Sequence, residues 1–120
     1  MQKTFWHSCR TEQIAFHASA TRHLLDQGEW LRQRGGPALT VAALDVGAVG
    51  YVSDACIIDI HGLTSPDLAG KDRDYAVRYI LARKPDYIQV YAHPLLDAPE
   101  FKRLYTRVPG IAWHLYQRNR

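Results

Sequence analysis

The chain has 120 residues, enough for one domain with a core that needs no disulfides. Hydrophobic content of 47%, charged content of 22%, and three Trp, seven Tyr and three Phe exclude a disordered chain. The net charge of +3 comes from arginines scattered from Arg10 to Arg120, not from a basic stripe, so no nucleic-acid partner is expected.

Cys9 and Cys56 make neither a disulfide framework nor a C-x-x-C site. Cys56 lies in an apolar run and reads as a small core residue. The apolar stretches fall short of the ~18 residues that span a bilayer, and MQKTFWHSCRTEQ lacks the apolar centre of a signal peptide. The chain by itself therefore reads as soluble.

Residues 1–10 show no period and read as a poorly ordered lead-in, with residues 11–120 forming a single α/β domain. From Thr11 to Arg34, the apolar positions Phe16, Ala20, Leu24 and Leu31 recur near helical spacing, and Gly35-Gly36-Pro37 ends the helix. Leu39–Leu44 reads as a central strand delivering Asp45 at its end. Ala55–Ile60 reads as a second, with Cys56, Ile58 and Ile60 on one face and Ile57, Asp59 and His61 on the other. Asp72–Lys84 is helical, with Ala76, Val77, Ile80 and Leu81 as its buried stripe and Arg83-Lys84-Pro85 as its stop.

Asp86–Tyr91 is a third strand. Asp97 suits the N-cap of a short helix that turns Phe101, Leu104 and Tyr105 inward. Ile111–Gln117 reads as a last strand, with Ile111, Trp113 and Leu115 on one face. The expected architecture is helices packed on a sheet of about four strands.

The segment Leu44–Pro66 carries the candidate chemistry. A strand ending in Asp45, followed by Gly47 and Gly50, suggests the first loop of a nucleotide or S-adenosylmethionine site, with Asp59 on a ribose. Two glycines do not complete G-x-G-x-x-G. The second strand also starts too soon for a full crossover helix, leaving room for one helical turn or a tight loop. Paired-carboxylate hydrolysis needs a separation in space that sequence proximity does not establish. Asp54 and Asp67 sit in turn contexts. Asp59, flanked by isoleucines, needs a partner such as a backbone N–H, His61, Tyr51 or an arginine, and reads as an anchor for the glycine loop.

The six histidines match no ligand spacing, so no metal is expected, and no cofactor is implied. No G-x-S-x-G elbow is present, and a buried Cys56 offers no nucleophile. Tyr75, Tyr79, Tyr87 and Tyr91 could line a sugar-stacking groove, or form the amphipathic rim of a core.

The succession Trp30-Leu31, Asp45-x-Gly47-Ala48-x-Gly50-Tyr51, Ile58-Asp59-x-x-Gly62-Leu63-x-x-Pro66, Tyr79-Ile80 and Lys84-Pro85-Asp86-Tyr87-Ile88 resembles a known bacterial pattern. It is similar to the soluble C-terminal extracytoplasmic domain of GT-C-type multi-spanning membrane glycosyltransferases, the arabinofuranosyl- and mannosyltransferase-like membrane proteins. The resemblance runs from about Phe16 to Tyr116. Ser53 and Asp54 stand where the family more often has Ser-Gly or Ser-Asn.

The resemblance implies a parent enzyme on the extracytoplasmic face of a bacterial inner membrane, taking a sugar from a polyprenyl-phosphate donor. Its catalytic acid lies between early membrane helices, outside these residues. The chain is then expected not to transfer sugar alone, but to position substrate or stabilise the membrane part. Its partners would be that membrane region and its lipid-linked sugar or glycan acceptor. The motif residues Asp45, Gly47, Gly50, Tyr51, Asp59, His61 and Gly62 inherit no catalytic role. Two other readings stay open: a small enzyme or binding protein holding a nucleotide-like or sugar ligand at Asp45–Asp59, and an interaction module with no small-molecule site.

Overall fold

The computed structural model of the protein describes residues 22–62, 67–111 and 114–120. A helix over 22–33 (α1) ends at the glycine pair and a 3-10 turn, Gly36–Ala38. The chain then runs through β1 (Thr40–Ala43), α2 (Val46–Ser53), β2 (Cys56–Asp59), α3 (Arg73–Arg83) and β3 (Tyr87–Gln89). A 3-10 turn, Pro94–Asp97, leads into α4 (Pro99–Leu104), which passes directly into β4 (Tyr105–Arg107), and β5 (Leu115–Arg118) closes the fold. The expected single α/β domain is observed, with five strands.

The strand order is β2-β1-β3-β5-β4. β1 pairs in parallel with both β2 and β3, in the registers Ala43↔Asp59 and Ala43↔Gln89. β5 runs antiparallel to β3 and to β4. The chain goes outward from β1 to β2, then crosses back to β3 on the other side of β1.

The two crossovers cover opposite faces. Ala42, Leu44, Ile80, Leu81, Ile88 and Phe101 belong to one core, beneath α3 and α4. Leu31, Val41, Val49, Tyr87 and Leu115 belong to the other, beneath α1 and α2. Successive residues of β1 and β3 feed alternate faces, so both faces of these strands are buried and neither is a polar side. Ile80 is fully buried, and burial of this kind contributes about 1.5–3 kcal/mol per side chain.

Helix α3 forms as its local chemistry dictates. The Asp72 carboxylate accepts from the Tyr75 N–H at 2.7 Å, and Arg83 supplies positive charge in the last turn. Lys84 turns left-handed (φ 50°) just before Pro85, which cannot continue the helix. In β2, Ile58 packs toward α3 and Ile57 toward α2, the alternation expected.

Four expectations are corrected. The Asp45–Ala55 connection holds a two-turn helix, not one turn or a loop. Strands of four residues span only ~13 Å, and a helix of about eight residues runs back the same distance. Cys56 is exposed, not core, because β2 is the outer strand of the sheet. The N-cap position of α4 belongs to Ala98, with Pro99 preset for the first turn. Tyr105 leaves that helix to begin β4, where it is buried by strand pairing with β5.

The last strand also starts later, at Leu115, and Ile111 precedes it. The expectations for residues 1–21, including Phe16 and Ala20, and for Trp113 lie outside the described residues. Among the described residues, no helix is long and apolar enough to cross a membrane.

Candidate functional site at the strand switch point

β1 and β3 lie side by side, yet the chain leaves them for opposite faces of the sheet. In open α/β sheets such a switch point, at the carboxyl ends of the strands, opens the crevice where ligands bind. Asp45 follows β1 at this point, and Gln89 ends β3.

Gln89 is fully buried. Its Oε1 accepts from the Leu44 and Asp45 N–H groups, each at 3.0 Å, and its Nε2 donates to Asp45 Oδ2 at 2.9 Å. The Leu44 N–H also reaches the Gln89 carbonyl at 3.1 Å. A single carboxamide thus replaces the ladder where β1 turns into α2. The Tyr91 hydroxyl adds a hydrogen bond to Asp45; burial first, and then the nearby carboxylate, raise the phenol above its ordinary pKa. Asp45 stands at the N-cap position of α2 but makes no side-chain bond to that helix, because Gln89 and Tyr91 hold its carboxylate.

Asp59 is 1% exposed at the end of β2. Its Oδ1 accepts from the His61 N–H at 3.0 Å, and its carbonyl accepts from the Gly62 N–H at 2.9 Å. The His61 N–H is a backbone donor of the kind expected. This is an aspartate-stabilised turn. Gly62 has φ +78°, and a Cβ there would lie 2.8 Å from the Leu68 carbonyl.

The remaining motif residues do not gather around these carboxylates. Tyr51 is 89% exposed on α2, and the His61 side chain is exposed. Gly47 has open space where a Cβ would go, so no close approach requires glycine there. Gly50 lets α2 settle on β2, since a Cβ would sit 3.1 Å from Ile57 Cγ1. The glycines of the motif therefore do not form a phosphate loop. The tyrosines are also divided: Tyr75 and Tyr79 stack on α3, while Tyr87 is buried beneath α1.

Two residues of the site escaped sequence reasoning. Gln89 carried a signal, an amide inside the otherwise apolar run Tyr87–Tyr91. His93 follows β3 and is nearly buried; its Nδ1 accepts from the Leu95 N–H at 3.0 Å, which places the proton of the neutral ring on Nε2. Burial lowers its pKa, helped by the positive Arg73 and by His61. Among the described residues, no three His, Cys, Asp or Glu side chains come together as a metal site.

The arrangement defines a doubly wound α/β domain whose switch-point carboxylates are bound to its own backbone and side chains. More specifically, the chain belongs to the family described as a domain of unknown function, DUF8728, whose model matches residues 12–119. No curated protein and no solved structure shows significant similarity to it.

Proposed function

We propose that the chain is a non-catalytic soluble domain of a bacterial membrane glycosyltransferase that uses a polyprenyl-phosphate sugar. It lies on the extracytoplasmic face, where it positions substrate or stabilises the membrane-embedded part. One observation carries the reading: both motif aspartates are committed internally, Asp45 to Gln89 and Tyr91, and Asp59 to the His61 N–H. Side chains so engaged hold a turn rather than attack a substrate. The motif resemblance supplies the parent enzyme and its partners, the membrane region and its lipid-linked sugar or glycan acceptor.

The test is the gene itself, read upstream of the Met1 codon in frame. Membrane-spanning segments there are expected. A reading frame that encodes no membrane helix, in a cell where the product fractionates away from membranes, overturns the proposal.

A second reading is favoured by one feature, the position of Asp45 at the switch point, where sheets of this kind hold ligands. In that reading the chain is a small enzyme or binding protein for a nucleotide-like or sugar ligand. A thermal-shift screen with nucleotides, S-adenosylmethionine and sugar phosphates decides it: stabilisation lost in Asp45→Asn supports it, and no stabilisation by any of them removes it.

A further inference from the structure

At the opposite end of the parallel strands, two hollows share the residues Gln117, Arg118 and Arg120. The larger, about 300 Å³, opens along the β4–β5 ribbon beside Arg107. The smaller, about 100 Å³, reaches Arg34, Asp86 and Tyr87. Four lining side chains are arginines and one is acidic.

That one carboxylate is already engaged. Asp86 Oδ1 takes Arg118 Nη2 at 3.2 Å, and Asp86 Oδ2 accepts from the Thr40 N–H at 2.9 Å. Arg34 is laid over the Trp30 ring, 3.6 Å from its centroid. Arg107 and Arg120 have no acidic partner among the described residues. The wall between them is fixed: Asn119 donates to the Arg103 and Leu104 carbonyls and accepts from the Thr106 hydroxyl.

We infer that this cleft is a binding site for a phosphate-bearing ligand. Guanidinium forks match phosphate oxygens, and in the larger hollow the two unneutralised arginines, Arg107 and Arg120, flank the Asp86-paired Arg118, a charge balance that suits a dianion better than a single carboxylate. The larger hollow is at the lower end of the size range of small-ligand pockets, room for a phosphorylated group larger than phosphate alone. The site lies away from Asp45 and Asp59 and does not depend on the proposed parent enzyme.

The test is NMR titration of the full chain with inorganic phosphate, pyrophosphate and glucose 1-phosphate at constant ionic strength. A parallel arm uses phosphatidylcholine vesicles with and without phosphatidic acid. Saturable shifts at residues 106–108 and 117–120 are expected. The double variant Arg107→Gln/Arg120→Gln should weaken binding about tenfold, while Arg78→Gln on α3 leaves it unchanged. Binding to the soluble probes assigns a free phosphorylated ligand, and binding only to phosphatidic acid vesicles assigns a lipid headgroup. No saturable binding in either arm, or equal weakening by Arg78→Gln, overturns the inference. Melting curves of each variant verify that it is folded.

Discussion

Gln89 and Asp45 clasp each other across the junction of β1 and β3, with Nε2 2.9 Å from Oδ2 and the same carboxamide accepting the Asp45 N–H at 3.0 Å. They are 44 residues apart in the chain. This pair joins the end of one parallel strand to the end of its neighbour, at the place where α2 begins.

Replacing Gln89 with leucine keeps the size of the side chain and removes both ends of the clasp. The half-buried Asp45 N–H then loses its acceptor, and the expected loss is about 1–3 kcal/mol in urea denaturation. Asp45→Asn retains an acceptor for Gln89 and Tyr91 and should cost less than Gln89→Leu. Equal stability of Gln89→Leu and the wild type would show that the clasp contributes nothing.

The three motif glycines should separate cleanly. Gly47→Ala meets open space on a helix and should stabilise by roughly 0.5–1 kcal/mol. Gly50→Ala gains the same helix propensity but crowds Ile57 at 3.1 Å, so it should fall below Gly47→Ala. Gly62→Ala combines a left-handed backbone with a 2.8 Å clash on the Leu68 backbone and should cost about 2–4 kcal/mol. Thermal melts of the three give the order. A Gly47→Ala variant that folds normally but melts lower contradicts the assignment.

His93 predicts an acid-side loss of stability. Its folded pKa lies below the ordinary 6.5 because of burial, Arg73 and His61. The unfolded chain then binds the proton more readily, so this contribution is full above 6.5 and is lost as pH falls from there toward the folded value. His93→Asn keeps an acceptor for the Leu95 N–H and removes the titration. Denaturation midpoints followed through this window should slope less in the variant; an unchanged slope assigns the effect elsewhere.

Tyr105 predicts the opposite edge. Burial pushes its phenol from 10.0 to about 12, and its hydroxyl donates to the Pro85 carbonyl at 2.7 Å. The stability tied to the neutral phenol is complete below pH 10.0 and is lost as pH rises toward about 12. Tyr105→Phe should lose about 1 kcal/mol at neutral pH and should show less alkaline loss. Tyrosinate absorbance titration of the wild type and variant checks the assignment, and a phenol that ionises near 10 would contradict it.

The ends of α3 are written in its local sequence, whereas Asp97 misleads as the N-cap of α4, a position Ala98 takes. Asp72, Lys84 and Pro85 mark the ends of α3 because capping and proline sterics act within a few residues. β1 was legible as an apolar, β-branched run between Pro37 and Gly47. The need of Asp59 for donors was legible too, since a buried carboxylate between isoleucines must find them, but the sequence pointed to the glycine loop and not to the His61–Gly62 turn that Asp59 holds. α2 was underestimated because the length of a crossover depends on the length of the strands it returns along. Cys56 looked like core because its apolar neighbours say nothing of whether another strand covers it. β4 was hidden because Tyr105 suits either a helix face or a strand, and only its partner in β5 decides.

The sequence alone determined the α/β class, the alternation of faces in the central strands and the boundaries of the capped helix, all products of local sterics and hydrogen bonding. Only the tertiary structure decided the order β2-β1-β3-β5-β4, the exposed edge at Cys56, the Gln89–Asp45 clasp and the two adjoining hollows in which Arg118 and Arg120 meet Arg107 on one side and Arg34 on the other. These depend on pairing and packing between segments far apart in the chain, and such free energies are written in no local window of residues.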